Sequence, residues 1–440
     1  MKTVFRRLVR PLLEIQAKRL IARRRLRVVA VAGAVGKTST KLAIATVLGQ
    51  RYRVLVHDGY FGNFNSEIGL PLAMFQLRVP KVIINPLAWI WRLVQMERTI
   101  HGDYPYDVVV LELGTDHPGE IPHFMTYLKP DIGVVTAVAP EHMEYFGTLE
   151  AVAAEELALV AGSQTALVSY DDVAPAYRRT YVQPHPRHYT YGLAPEADYG
   201  FKLSGFDLAT GITGALVQGG QATVVGLTIP VYGRQGLKSA VAAAAVGDLL
   251  GLSRPQLEAG LRAVRPVPGR MNPLPGIGGA TIIDDTYNSS PEAVVAALAA
   301  LGELPVVGRR IAVLGTMNEL GDEAPRYHAE VGAAAGGAGL DILVTIGELA
   351  NHHLGPAAVA AGLDPAALKP VGSPYTAGEF LKLMVGAGDV VLVKGSQNGV
   401  FAEEVTRLLL ADPADAAKLV RQSSTWLARK YEQFGERPAL

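Results

Sequence analysis

Cysteine is absent from all 440 residues. Its absence excludes a disulfide scaffold, a thiolate nucleophile and any Cys-ligated zinc or iron–sulfur site. Charge is scarce too, at 19% of residues against 49% apolar. A disordered chain needs the opposite balance, so the composition specifies packed cores, and a coiled coil is also disfavoured. No stretch of about 18 uncharged apolar residues occurs, so no transmembrane helix is expected. The first residues lack the apolar run and small-residue cleavage site of a signal peptide. The 47 Gly and 28 Pro are scattered, which fits neither collagen nor a low-complexity tract. At ~150 residues per domain the length suggests two or three domains.

Net charge is zero, with 41 basic and 41 acidic residues. Residues 1–27, however, hold ten basic residues and one acid, Glu14, giving +9 against −9 for the remainder. A basic end on an acidic body points to an anionic partner. Drawn as a helix, Val4, Phe5, Leu8, Val9, Leu12, Leu13 and Ile15 fall on one side, with Arg6, Arg7, Arg10 and Lys18 on the other. That pattern predicts an interfacial helix, apolar side in lipid and basic side on headgroups, kinked at Pro11. Phe5 is the one aromatic among these charges, so nucleic acid is not expected. Residues 85–95 hold two of the three Trp, which suits either a membrane interface or a core.

The body alternates strand and helix. Strands are expected at 27–32, 53–57, 107–112 and 132–136, with a helix at 37–48. A Gly- and Thr-rich antiparallel excursion follows at 201–232, then an Ala-rich helix at 240–250. Four Pro and four Gly in residues 265–279 mark a hinge. Beyond it strands are expected at 281–284, 310–314, 342–346 and 390–394. The fold class is therefore α/β: a P-loop NTPase-type, mostly parallel sheet domain followed by a Rossmann-like α/β domain without the Gly fingerprint.

Chemistry concentrates at Gly33-Ala-Val-Gly36-Lys37-Thr38-Ser39, between the first strand and its helix. Backbone N–H groups at a helix start cradle phosphate oxygens. Lys37 would reach the β- and γ-phosphates, and the Thr38 hydroxyl would ligate Mg²⁺. Val31 stands where the longer Walker pattern has Gly, so the motif is a shortened form. Glu112, at the carboxyl end of a buried strand, is the candidate acid for the metal.

Further pieces then fit one family. They are Gly62-Asn-Phe-Asn-Ser-Glu-Ile-Gly-Leu-Pro71; Glu112-Leu-Gly-Thr-Asp-His-Pro-Gly-Glu-Ile121; His142-Met-Glu-Tyr-Phe-Gly147; and Pro268-Gly-Arg-Met271. They continue with Asp284-Asp-Thr-Tyr-Asn-Ser-Ser-Pro291; Val313-Leu-Gly-Thr-Met-Asn-Glu-Leu-Gly321; and Lys394-Gly-Ser396. With the phosphate loop, and in this order, they resemble the Mur ligases over roughly residues 28–405, the dipeptide-adding branch most of all. The resemblance implies an ATP- and Mg²⁺-dependent ligase that activates a carboxylate as an acyl phosphate and joins it to an amine. The amine would be an amino acid or dipeptide, and the carboxylate would belong to a cell-wall precursor, UDP- or lipid-linked. After the basic segment at 1–27, it implies an ATP-binding central domain at 28–265 and a Rossmann-like domain at 266–440.

By the same resemblance, Lys37, Glu112 and His142 are catalytic. Thr38, Glu112, His142 and Glu156 would serve metal ions. Gly33, Gly36, Lys37, Thr38, Ser39, Arg270, Asp285, Tyr287 and Asn288 would hold the nucleotide. Asn63, Asn65, His117, Lys394 and Ser396 would face the other substrates. Glu156 lies fourteen residues after His142, where many members carry a carbamylated Lys. The family's helix start Gly-x-His-Asn-x-x-Asn-Ala reads Gly233-Arg-Gln-Gly-Leu-Lys-Ser-Ala240. Only about 27 residues precede the first strand, where the family has a UDP-sugar domain. A location in the cytoplasm, peripheral at the inner membrane face, follows from this reading. Two alternatives stay open: another P-loop phosphotransferase, and a non-catalytic paralogue binding nucleotide or lipid.

Overall fold

A computed structural model describes residues 2–57, 67–80, 82 and 84–435, with side chains from Val9 onward. The chain forms two compact units. The first comprises Met1–Gly205, Thr213–Ile229 and Leu237–Val264; the second comprises Phe206–Ile212, Pro230–Gly236 and Arg265–Leu440.

The first unit is built on a nine-stranded sheet. Its strands are β1 (Arg27–Ala32), β2 (Val54–Val56), β3 (Val108–Glu112), β4 (Ile132–Val135), β5 (Thr165–Ser169), β6 (His188–Tyr191), β7 (Tyr199–Asp207), β8 (Gly211–Gln218) and β9 (Gln221–Ile229). The order is β2-β3-β1-β4-β5-β6-β7-β8-β9, and β1 to β5 pair in parallel. Strands buried on both faces read as unbroken Val/Ile/Leu runs, which is why 108–111 is Val-Val-Val-Leu. Gly219 and Gly220 join β8 to β9 with φ of 54° and 78°. Two successive positive φ values are what a two-residue hairpin turn demands.

The N-terminal helix, Lys2–Arg24, does not present its apolar side outward as predicted. Val9, Leu13, Ala17 and Leu20 are buried. They join the core of this unit with Trp89, Met96 and Ile100 from the helix Pro86–His101. Arg19 donates to both oxygens of Glu97 at 2.6 and 2.8 Å, and Arg24 donates to the Thr99 carbonyl at 3.2 Å. Arg10 pairs with Glu67 at 2.7 Å. The periodicity showed an apolar stripe but not what covers it, and here the sheet domain does. Of the outward set, Leu12 and Ile15 remain exposed; Val4, Phe5 and Leu8 lie outside the described side chains. Among the described residues no helix is long and apolar enough to cross a membrane.

The second unit carries β10 (Asn272–Pro275), β11 (Thr281–Asp285), β12 (Arg310–Gly315), β13 (Ile342–Ile346), β14 (Leu368–Val371) and β15 (Val390–Lys394). The order is β10-β11-β15-β12-β13-β14, all parallel except β10. Alternate residues feed two cores: Ile283, Ala312 and Leu392 one face, Ile282, Ile311 and Val391 the other. Part of the Pro-rich hinge is itself strand. Pro273 and Pro275 lie in β10 at the sheet edge, the place a sheet tolerates proline. The Ala-rich helix also starts earlier than expected, at Gly233, and runs to Leu249.

Candidate active site

In the first unit, β1 is flanked by β3 and β4, and the chain leaves its carboxyl end into the phosphate loop. Gly33 has φ +122°, and a Cβ there would stand 2.3 Å from Thr136 Oγ1 and 2.7 Å from the Ala137 nitrogen. Only glycine fits. Gly36, at φ 86°, caps the helix Lys37–Leu48 in the left-handed region. Its N-terminus carries no acid, so the positive end of the dipole stays open to an anion.

Three groups converge on this loop. Thr38 donates its hydroxyl to Glu112 Oε1 at 3.0 Å. Lys41, one turn along the helix, donates to Glu112 Oε2 at 2.8 Å. Lys37 Nζ lies 3.2 Å from both oxygens of Glu141. Burial works against the charge of Lys37, but Glu141, Glu156 and Glu112 outweigh it and hold its pKa above the usual lysine range. Burial likewise raises Glu112, yet Lys41, Lys37 and the Thr38 hydroxyl win and hold it below the usual range. Lys41 and Glu141 were not singled out in the sequence. Lys41 falls one helical turn beyond Lys37, a spacing that could have flagged it.

Glu156 lies beneath the loop. It is 1% exposed and accepts the Gly33 N–H at 2.6 Å through Oε2. Its Oε1 is buried without a hydrogen-bond partner. Burial, only partly countered by Lys37, pushes its pKa up to about 8. Its neighbour Glu155 turns to a different loop, accepting from the Gly119 and Ile121 N–H groups, both at 2.7 Å, and from Thr115 Oγ1 at 3.2 Å. No hydrogen bond or ion pair joins Glu156 to His142 among the described contacts. His142 instead meets Asp116 at 3.4 Å and Glu141 at 3.7 Å, on backbone at φ 49°. His117 packs its ring on Tyr145 at 4.4 Å. Asn63 and Asn65 lie outside the described residues.

Ser239, one of the positions that departs from the family pattern, accepts the Thr40 hydroxyl at 3.0 Å. It thereby steadies the phosphate-loop helix. Among the described residues no group of three or more His, Asp or Glu forms a metal cage. The Thr38–Glu112 pair offers hard oxygens in adjacent positions. That fits Mg²⁺, which takes one or two protein oxygens and completes its shell with water and phosphate.

In the second unit, β11 and β15 pair with Asp285 opposite Lys394. Lys394 donates to Asp285 Oδ2 at 2.7 Å and to the Asn288 carbonyl at 3.0 Å. Both side chains are buried. Asp285 Oδ1 also accepts the Met271 N–H at 3.1 Å. Asp285 and Lys394, given separate substrates by the sequence reading, are thus each other's partner. Ser396 is buried as well, taking the Asn318 N–H at 2.9 Å and donating to the Ser289 carbonyl at 3.3 Å. Arg270 lays its guanidinium over the Tyr287 ring at 4.3 Å, and Tyr287 remains partly exposed. Asp284 accepts from the Gly269 N–H at 2.9 Å and the Thr286 hydroxyl at 2.6 Å, and burial pushes its pKa up to about 6.

Sequence reading missed the group that holds this loop. Arg421 donates to the Thr286 and Tyr287 carbonyls and to both oxygens of Glu403. Lys430 is fully buried and pairs with Glu403 at 2.8 Å and Glu404 at 2.7 Å. These residues lie over a hundred positions from the loop in sequence, and no local motif marks them.

Two family models match the chain: "Mur ligase middle domain" over residues 93–247 and "Mur ligase, glutamate ligase domain" over residues 269–397. Among curated relatives, the UDP-N-acetylmuramoyl-tripeptide–D-alanyl-D-alanine ligase of Bacillus subtilis is 30% identical over 392 residues, spanning 88% of this chain and 76% of its own. The enzyme of that name from Escherichia coli is 29% identical over 87% of this chain and 76% of its own. Among solved structures, the MurF ligase of Thermotoga maritima in complex with ADP superposes with a TM-score of 0.70 at 25% identity, covering 91% of this chain and 83% of that one. A MurF structure from Acinetobacter baumannii, at 22% identity and TM-score 0.71, shares the fold over 92% of this chain and 79% of its own.

Proposed function

Because the chain belongs to the Mur ligase family, we propose that it adds D-alanyl-D-alanine to the peptide carboxylate of a peptidoglycan precursor. It is an ATP-dependent, ADP-forming ligase, with ATP as a substrate. An oxygen of the acceptor carboxylate takes the γ-phosphoryl group, and the bond to ADP breaks. The dipeptide amine then attacks the acyl-phosphate carbon, loses a proton, and phosphate leaves as the amide forms.

The observation that carries the site reading is the meeting of Lys37, Thr38 and Glu112 at the end of β1. Most of the chemistry is neutralisation of phosphate charge and alignment of the reacting atoms. Lys37 supplies a cation in a shielded setting, where its attraction for phosphate is strong. The loop N–H groups and the helix dipole add to it. Glu156 fixes the loop by holding the Gly33 N–H. Thr38 and Glu112 would hold Mg²⁺, which when bound spreads the charge of the phosphates. His142, close to Asp116 and Glu141, and the buried Oε1 of Glu156 are the candidates for a second ion. In the second unit, the half-buried Arg270 and the exposed ring of Tyr287 form a stack suited to a nucleotide. Asp285 and Lys394, paired with each other, fix the loop between them. A lipid-carried acceptor would bring the enzyme to the inner face of a membrane. The +9 charge of residues 1–27 supports that contact.

The test is ADP release with UDP-N-acetylmuramoyl-tripeptide and D-alanyl-D-alanine, with mass spectrometry of the product. The reading expects ADP only when both are present and a product heavier by the dipeptide less one water. Net turnover to ADP without the amine would identify a phosphotransferase. No ADP with any acceptor and amine would identify a non-catalytic paralogue.

A further inference from the structure

The helix Pro86–His101 is apolar on two sides. Trp89, Met96 and Ile100 face the core. Leu87, Ile90, Trp91 and Val94 face solvent, with Leu87 74%, Ile90 56% and Trp91 51% exposed. Their spacing follows one ridge over two turns. The helix start is firmly set. Asn85 accepts the Leu87 and Ala88 N–H groups at 3.0 and 3.4 Å, with Pro86 in the first turn. So Leu87 is held in the open by the capping geometry and does not lie in a loose end.

The N-terminal helix packs alongside. Its contacts Arg19–Glu97 and Arg24–Thr99 set a parallel register. In that register Leu12 and Ile15 come level with Ile90 and Val94, and both are exposed. Two neighbouring helices thus carry exposed apolar residues at the same level. Val82 and Ile84, just before the Trp helix, are exposed as well. Exposed large apolar side chains gathered on one helix and its neighbour mark an interaction site.

Charge identifies the occupant. Residues 1–27 and 76–101 together hold fourteen basic residues and two acids, Glu14 and Glu97. Glu97 is held by Arg19, and Glu14 lies 3.4 Å from Arg10 and 2.7 Å from His123. Lys18, Arg19 and Arg23 are exposed, and Arg98 lies over the Trp91 ring at 5.4 Å. An apolar face carrying a Trp and rimmed by surplus Arg and Lys matches an anionic bilayer surface, apolar groups at the acyl boundary and cations among headgroups. We propose that the outer face of these two helices, centred on Leu87, Ile90 and Trp91, docks the protein on an anionic membrane. This deepens the membrane contact raised above and moves it from the buried side of the N-terminal helix to the Trp helix.

The test is co-sedimentation of the full chain with vesicles of phosphatidylglycerol and phosphatidylethanolamine, against pure phosphatidylcholine. The expected result is binding to the anionic vesicles alone, weakened in high salt because the charges are screened. Leu87→Glu and Trp91→Glu should each reduce partitioning about tenfold or more. Both sites are exposed, so the melting temperature should hold, and ADP formation with soluble substrates should hold too. Arg23→Glu, on the rim, should weaken binding without touching the apolar face. Equal sedimentation of wild type and the two Glu variants would overturn the proposal, as would absence of anionic binding. So would a salt-resistant dimer in solution that Trp91→Glu dissociates, which would make a second copy the occupant. Vesicle binding needs no turnover, so failure here and failure of the ligase reading are separate outcomes.

Discussion

Glu156→Gln should change how stability depends on pH. The Glu156 carboxyl is buried, with Oε2 on the Gly33 N–H at 2.6 Å and Oε1 without a partner. Burial pushes its pKa from 4.5 up to about 8. The folded state therefore holds this proton more tightly than the unfolded state. The resulting stability is whole below pH 4.5 and is lost as pH rises towards 8. At about 1.4 kcal/mol per pH unit, ionising Glu156 in the folded protein costs on the order of 5 kcal/mol by pH 9. Glutamine keeps an acceptor for Gly33 and cannot ionise. The two proteins should match near pH 5 and diverge above it, with the variant more stable by on the order of 10 °C in melting temperature at pH 9. Thermal unfolding at pH 5 to 9, without nucleotide or metal, measures the difference, and titrating groups remote from Glu156 cancel between the two proteins; Lys37, which senses Glu156, stays charged over this range. Parallel curves across this range would refute the reasoning. The same pair of proteins tests the metal role. A cation at Glu156 competes with the proton, so the variant should need more Mg²⁺ for turnover, and added bicarbonate should not restore it. An unchanged Mg²⁺ requirement leaves Glu156 as a support for the Gly33 turn alone.

Lys37→Ala should lower turnover by about two orders of magnitude or more, with a small change in melting temperature, because it removes the cation from the phosphate loop; steady-state ADP release checks it. Leu20→Ala should destabilise the first unit by about 2–5 kcal/mol, since Leu20 is fully buried; denaturant unfolding reads this, and a change under 0.5 kcal/mol would return the N-terminal helix to an appendage. Lys394→Met should cost about 3–5 kcal/mol by leaving Asp285 buried without its cation, and the double variant Lys394→Met/Asp285→Asn should recover part of it; full additivity of the two changes would deny the pairing.

Certain features were legible because their causes are local. A buried parallel strand must be an apolar run, so 108–111 and 390–393 declared themselves. The loop from Gly33 to Ser39 was readable because a tight turn and an open helix start demand those residues in that order. The helix at 37–48 was placed to the residue. What the sequence could not decide was which distant group completes each site. Glu155 and Glu156 are neighbours on one helix, and nothing local sends one to the loop at 115–121 and the other beneath Gly33. Lys41, Glu141 and Arg421 acquire their roles only when folding brings Glu112, Lys37 and Thr286 to them. Asp285 and Lys394 lie 109 positions apart and become partners through the register of β11 with β15. The apolar side read between Val4 and Ile15 was expected to face lipid, but hydrophobic attraction has no direction and names no partner. Lipid and protein satisfy it equally, and the tertiary structure chose protein for Leu13 and Leu20 while leaving Leu87 and Trp91 in the open.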